Sequence, residues 1–150
     1  MDEPAVRPLS FVEDRPVIRQ IEDRDLYLGN VHAADPNRHD HDFAFVLSAT
    51  AERQPATTHH HPLRDGPGND WGSFAAAVDT SRTLQQRQGA LLVHCKAGVS
   101  RSTTLLATSL AAETGTTFRR ALETVREARP VATPHPRLRE LAVYYLADRR

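Results

Sequence analysis

Short apolar runs separated by polar turns dominate the first half of the chain and predict β-strands. Residues 17–18 and 26–28 are two such runs on either side of a charged turn, which indicates a small hairpin. Residues 43–47 and 90–93 are continuous apolar runs, typical of strands buried on both faces of a parallel sheet. Residues 56–63 predict a further, weaker strand.

Apolar residues at helical spacing dominate the second half of the chain. A helix capped by Asp70 is predicted to run to about Gln88, and a second one from about Arg101 to Gly115. A third helix is broken at Pro130, and a last one begins after it. The residues that carry this spacing are Phe74, Val78, Leu84, Leu105, Leu106, Ser109, Leu110, Phe118, Leu122, Val125, Leu138, Leu141, Tyr145 and Leu146.

Strands followed by helices in a chain of 150 residues predict a single α/β domain. We expect a central, mainly parallel sheet of about five strands flanked by helices. Residues 1–16 are polar and contain three prolines, so they are predicted to form an N-terminal arm. The folded domain is then expected over residues 17–150.

The charge balance bears on partners and location. The 19 basic and 19 acidic residues give no net charge, which argues against a nucleic-acid or anionic membrane partner. The apolar runs are too short to span a bilayer, and residues 1–10 carry acids and prolines instead of a signal-peptide core. We therefore expect a cytoplasmic protein, and we treat it as a monomer.

Cys95 is the only cysteine, which excludes an intramolecular disulfide and a cysteine-rich zinc site. A histidine-rich region raises the alternative of a transition-metal site. These histidines show no His-x3-His spacing and have no partnering cysteine, so we expect no metal. They are His32, His39, His41, His59, His60 and His61.

The segment HCKAGVSRS, residues 94–102, lies between a predicted buried strand and a predicted helix. A loop in this place directs successive backbone N–H groups at one point, where the N-terminus of the helix adds positive charge. Gly98 supplies the unusual backbone angle that such a loop requires. The predicted phosphate-binding loop consists of Cys95, Lys96, Ala97, Gly98, Val99, Ser100 and Arg101.

Cys95 and Arg101 have the spacing Cys-x5-Arg, which puts a thiol and a guanidinium at opposite ends of this loop. The planar guanidinium can bind two phosphate oxygens at once, which lysine cannot do. Helix N-termini and nearby cations lower cysteine pKa values from about 8.5 to roughly 3.5–7.5. The pattern therefore predicts a thiolate nucleophile beside a bound phosphate.

The strand ALLV followed by HCKAGVSRS and a helix resembles the dual-specificity branch of the protein tyrosine phosphatase superfamily. PLRDG resembles the general-acid segment of that family, LYLGN its early strand, and ARPVATPHP its closing segment. The resemblance covers residues 26–146. One departure is His135, where the family commonly has asparagine.

The resemblance implies a protein tyrosine phosphatase-like fold and a reaction through a phosphocysteine formed on Cys95, without a metal or cofactor. It also implies that Asp65 acts as general acid and then as general base, with Asp70 as the reserve candidate. Ser102 would hydrogen-bond the sulfur, and His94 would orient the loop and tune the thiolate.

The predicted function is hydrolysis of phosphotyrosine, and of phosphoserine or phosphothreonine, in proteins or peptides. Val99 and Ser100 resemble protein-directed members of the family, whereas Lys96 resembles members that act on phosphoinositides or phospholipid headgroups. A phosphoinositide or small-molecule phosphatase is therefore one alternative. A phosphate-binding module without turnover and a rhodanese-type sulfurtransferase are two others.

Overall fold

The apolar strand that precedes Cys95 lies at the centre of the sheet. A computed structural model describes residues 12–149, and within them the sheet has five strands in the order β1-β2-β5-β3-β4. β1 is antiparallel to β2, and the remaining pairs are parallel. The strands are β1 (Ile18–Gln20), β2 (Leu26–Gly29), β3 (Phe45–Ser48), β4 (His59–His60) and β5 (Leu91–His94). Since β5 is flanked by two parallel strands, the loop after it emerges at the carboxyl edge of the sheet, where α/β proteins bind ligands.

The α-helices within residues 12–149 pack around α2, which is buried along most of its length. Their bounds are α1 (Trp71–Gln85), α2 (Arg101–Thr114), α3 (Phe118–Ala128) and α4 (Pro136–Arg149). Asp70 caps α1 by accepting a hydrogen bond from the Ser73 amide at 3.0 Å. Gly115, with φ of 70°, ends α2 in the left-handed conformation that glycine favours. None of these helices is long and apolar enough to cross a membrane.

The two faces of the sheet are covered differently. Alternate residues of the strands, such as Leu28 and Val93, join the α-helices in the main core. Their neighbours, such as Val46 and Leu92, pack against the alanines of a 3-10 turn at Val31–Ala34. The main core therefore fixes the start of α2 against the end of β5, which is where the loop with Cys95 runs.

The structure confirms the predicted α/β class, the hairpin and the order of the helices. α1 ends at Gln85, before the predicted limit at about Gln88. Only His59–His60 of the predicted strand over 56–63 is a strand, although the His61 amide still bonds the Ser48 carbonyl at 2.9 Å. Proline follows at position 62 and has no amide for the ladder.

The arm predicted over 1–16 falls largely outside the described residues, which begin at residue 12. Residues 12–16 have no regular secondary structure but contact the domain. The side-chain amide of Asn30, at the end of β2, donates to the carbonyl of Arg15 at 2.9 Å. Thus the chain is already held to the domain before β1 begins.

Candidate active site

The carbonyl oxygens of the loop between β5 and α2 all bond to groups outside the loop. Each carbonyl from residue 96 to residue 100 accepts a hydrogen bond from another part of the fold. The pairs are Val31 N to Lys96 O (3.0 Å), Arg129 Nη2 to Ala97 O (3.1 Å), Arg129 Nε to Gly98 O (3.2 Å), Thr133 N to Val99 O (2.8 Å) and Thr104 N to Ser100 O (2.9 Å). Because the N–H of a peptide points opposite to its carbonyl, outward carbonyls turn the amides towards the inside and form an anion-binding nest.

Gly98 lies where this loop passes close to the end of β2. Its φ is 69°, and a Cβ atom there would lie 2.9 Å from the carbonyl oxygen of Gly29. Both the backbone angle and the lack of space require glycine. The prediction of an unusual backbone angle at Gly98 is therefore confirmed.

The thiol of Cys95 lies at the floor of the nest and is 2% exposed. Its Sγ atom is 3.1 Å from the hydroxyl oxygen of Ser102, in the first turn of α2. Burial alone raises the pKa of the Cys95 thiol, but the charge of Arg101 and hydrogen bonds from Ser102 and Gly98 outweigh it. The result is a pKa below the ordinary value, which favours the thiolate.

A small cavity of about 40 Å³ opens above the sulfur, and Asp65 and Arg101 both line it. Asp65 belongs to the loop between β4 and α1, so the fold brings two distant segments together. The guanidinium of Arg101 also donates from Nη1 to the carbonyl of Leu63 at 3.3 Å, which ties the two segments to each other. The remaining lining residues are Cys95, Lys96, Ala97, Val99 and Ser100.

The loop that carries Asp65 is closed by Asn69, which the sequence did not single out. The Asn69 side chain accepts from the Arg64 amide at 2.8 Å and donates to the carbonyls of Arg64 and Gly66 at 2.9 and 3.0 Å. These bonds bracket Asp65 on both sides. Asp70, the reserve candidate for the acid, is exposed and caps α1 instead.

His94 is completely buried behind the loop and contacts two polar groups. Its Nε2 atom lies 2.5 Å from the hydroxyl oxygen of Ser48, and its Nδ1 atom lies 3.3 Å from the carbonyl oxygen of Cys95. Ser48 is in turn 2.7 Å from the hydroxyl of Thr57. Burial lowers the pKa of His94 from 6.5 to about 4, so the ring is neutral at neutral pH.

Two supports of the loop were missed from the sequence. Arg129 lies within the ARPVATPHP segment, and its guanidinium binds two loop carbonyls, a role that no local sequence pattern indicates. Ser48, the partner of His94, ends an apolar run and gave no signal of its own. The one indication in the sequence is that Ser48 is a polar residue at the end of a predicted buried strand.

His135 takes the place of the asparagine that the family commonly has, and it still supports the site. Its backbone amide donates to the hydroxyl oxygen of Ser100 at 2.8 Å. Its Nδ1 atom accepts from the Arg137 amide at 3.0 Å, which caps the first turn of α4. This histidine therefore connects the start of α4 to the end of the loop.

The other histidines make separate local contacts. His39 and His41 lie in an aromatic cluster with Tyr27 and Phe43. The ring of His61 bonds the hydroxyl of Thr80 at 3.0 Å. Over residues 12–149, no group of three His, Cys, Asp or Glu side chains is placed so that it could hold a metal ion.

An α/β domain with a cysteine at the floor of such a nest defines the class of protein tyrosine phosphatase-like proteins. Within that class, residues 26–146 match the family model "Dual specificity phosphatase, catalytic domain". The chain belongs to the dual-specificity phosphatase family.

Curated relatives and solved structures agree with this assignment. The chain is 32% identical over 122 residues to mouse dual specificity protein phosphatase 15, with 77% of this chain and 52% of that protein covered. It is 31% identical over 122 residues to Arabidopsis thaliana dual specificity protein phosphatase 1, with 73% and 60% covered. The crystal structure of human DUSP28 has the same fold, with a TM-score of 0.73 and 23% identity over 89% of this chain and 97% of that one. The chain thus spans about half the length of the mouse relative.

The buried His94 predicts a specific pH dependence of stability. The folded state holds its pKa at about 4 against an ordinary 6.5, so the unfolded state binds more protons between these values. The contribution of neutral His94 to the free energy of unfolding is therefore complete above pH 6.5. It decreases by about 3 kcal/mol as the pH falls from 6.5 to about 4.

Urea unfolding at a series of pH values measures this effect. We expect His94→Asn to remove most of this decline, whereas the exposed-site control His41→Asn keeps it. An unchanged decline in His94→Asn would show that another group causes it.

Proposed function

We propose that this chain is a cysteine-dependent phosphatase that hydrolyses phosphotyrosine, and phosphoserine or phosphothreonine, in proteins. The observation that carries the proposal is the cavity lined jointly by Cys95, Arg101 and Asp65. The nucleophile and the anion clamp belong to one loop and the acid belongs to another, and a merely structural cysteine would not require these two loops to converge. Membership of the family supports the same conclusion.

The proposed reaction has two steps. The Cys95 thiolate attacks phosphorus, so that an S–P bond forms while the bond to the substrate oxygen breaks, and Asp65 donates its proton to that oxygen. Water then attacks phosphorus, its proton passes to the Asp65 carboxylate, and the S–P bond breaks. Inorganic phosphate leaves and the thiolate is restored.

Arg101 and the loop amides supply the charge that this reaction needs. The inward amides and the guanidinium bind the non-bridging oxygens, whose negative charge is present in both steps. The hydroxyl of Ser102, 3.1 Å from the sulfur, stabilises the thiolate when it leaves the phosphoenzyme. Neutral His94 acts as a positioning residue because its ring lies beside the Cys95 carbonyl.

The choice of substrate rests on the shape and charge of the rim. Val99 and Ser100 are buried in the loop, whereas Lys96 is exposed at the rim. An exposed lysine contributes to binding any acidic or phosphorylated surface and does not by itself select a lipid headgroup. We therefore favour protein substrates and keep phosphoinositides as the second candidate.

The proposal also includes a cytoplasmic location and a monomeric state, as expected from the sequence.

The two alternatives of another class have less support. A phosphate-binding module without turnover would not need Asp65 over the sulfur, yet Asp65 lines the cavity. A sulfurtransferase would not need both Arg101 and an upstream acid to line the same cavity. The family assignment also favours a phosphatase.

Substitution of the nucleophile and the acid tests the mechanism on a phosphotyrosine peptide. We expect Cys95→Ser to reduce turnover to background, because the serine hydroxyl is not ionised at neutral pH. We expect Asp65→Asn to lower kcat by about 10²- to 10⁴-fold, the usual contribution of a general acid.

The matched control is Asp70→Asn, which keeps a helix-capping side chain and leaves kcat unchanged. Circular dichroism confirms folding of each variant. Full activity in Cys95→Ser would exclude the mechanism, and a loss in Asp70→Asn but not in Asp65→Asn would reassign the acid.

A substrate comparison on one preparation tests the choice of substrate. We expect kcat/KM for phosphotyrosine and phosphothreonine peptides to exceed that for short-chain phosphoinositides. Lys96→Ala should change the peptide values by less than about threefold, because exposed charges contribute little. A preference for phosphoinositides that Lys96→Ala abolishes would favour the second candidate.

A further inference from the structure

The guanidinium of Arg129 is a buried cation behind the phosphate-binding loop. Its side chain is 8% exposed, and Nε and Nη2 donate to the carbonyls of Gly98 and Ala97 at 3.2 and 3.1 Å. These carbonyls belong to two neighbouring peptides whose amides must face the phosphate. The orientation of this one guanidinium therefore sets the orientation of part of the nest.

Glu13 binds the remaining side of the same guanidinium. One carboxylate oxygen of Glu13 lies 2.9 Å from Nη1 of Arg129, and the Glu13 side chain is 22% exposed. The neighbouring backbone is fixed too, since the Asn30 side chain donates to the Arg15 carbonyl at 2.9 Å. The segment around Glu13 is thus attached at two points near the loop.

A buried guanidinium without a counter-charge is costly, and the loss of one partner lets the planar group turn towards water or another acceptor. The two carbonyls of the loop alone fix the orientation of the Arg129 guanidinium less firmly than the two carbonyls and the Glu13 carboxylate together. If the guanidinium turned, the carbonyls of Ala97 and Gly98 would lose their donors. Their peptides would then be free to rotate away from the anion-binding orientation.

We infer that Glu13 is a positioning residue of the phosphate-binding loop, acting through Arg129. The inference rests on the proposed function only in that the loop binds a phosphate. Residue 13 lies before the segment that matches the family model, which begins at residue 26. The residues that support the phosphate-binding loop therefore include Glu13, which lies upstream of the family match.

Binding of tungstate, a phosphate-like oxyanion, tests the inference without turnover. We expect Glu13→Gln to raise the Kd of tungstate by about tenfold, the effect of losing about one charge-assisted hydrogen bond. The same variant should lower kcat/KM and shift the acidic limb of its pH profile upwards, because displaced amides stabilise the thiolate less. The matched control is Glu22→Gln, which removes an exposed ion pair with Arg24 and leaves both quantities unchanged.

A double-mutant cycle shows whether Glu13 acts through Arg129. In an Arg129→Lys background, whose ammonium cannot hold both carbonyls in the same fork, Glu13→Gln should have little further effect on the tungstate Kd. Equal effects in both backgrounds would overturn the inference. If Glu13→Gln does not fold, Glu13→Asp replaces it, because the shorter side chain moves the carboxylate away from Arg129; the tungstate Kd should still rise, and an unchanged Kd would overturn the inference.

A purely structural role for Glu13 has a different signature. Glu13→Gln would then lower the melting temperature but leave the tungstate Kd and the pH profile as they are, and the inference would fail. Failure of the proposed function is distinguishable, because tungstate binding and its dependence on Glu13 are measured without catalysis. If the parent protein hydrolyses the substrate and Glu13→Gln has the same tungstate Kd, kcat/KM and pH profile, only the positioning role of Glu13 is wrong.

Discussion

The outward pairing of the loop carbonyls is the constraint on which the site depends. Successive peptide dipoles that converge on one point repel each other, and the loop keeps them there because every carbonyl from residue 96 to residue 100 has a donor behind it. The donors come from the 3-10 turn that follows β2, from the end of α3, from the segment before α4 and from α2 itself. A short peptide with the same sequence would lack most of these donors. The fold around the loop therefore creates the anion site.

The same arrangement resolves the conflict between burial and charge at Cys95. A thiol that is 2% exposed is protected from bulk water, but burial disfavours the thiolate. The charge of Arg101 and the hydrogen bonds from Ser102 and Gly98 reverse this preference. Behind the loop, His94 fills the buried space without adding a second positive charge, since its pKa is held at about 4. Each of these groups depends on the position of β5 between β2 and β3.

The hydrophobic pattern was sufficient to predict much of this fold. The buried strands, the hairpin and the helices follow from local patterns, namely apolar runs and apolar residues at helical spacing. The need for glycine at position 98 follows from the tight connection between β5 and α2. Arg129, Glu13 and Ser48 were not assigned roles, because their importance arises from partners far away in the chain. Arg129 lies 31 residues after Gly98 in the chain, and its ion-pair partner Glu13 comes from the opposite end of the domain. The strand His59–His60 is shorter than the predicted one over 56–63, and it pairs only with Leu47 and Ser48 of β3.

We propose that the sulfur of Cys95 carries the phosphoryl group between substrate and water. Rapid acid quenching of the parent protein during turnover of a phosphotyrosine peptide, followed by mass spectrometry of the digest, tests it directly. We expect a phosphoryl group on the peptide that contains Cys95, attached to that residue. Sustained turnover with no phosphoryl group on Cys95, or with one on another residue, would contradict it.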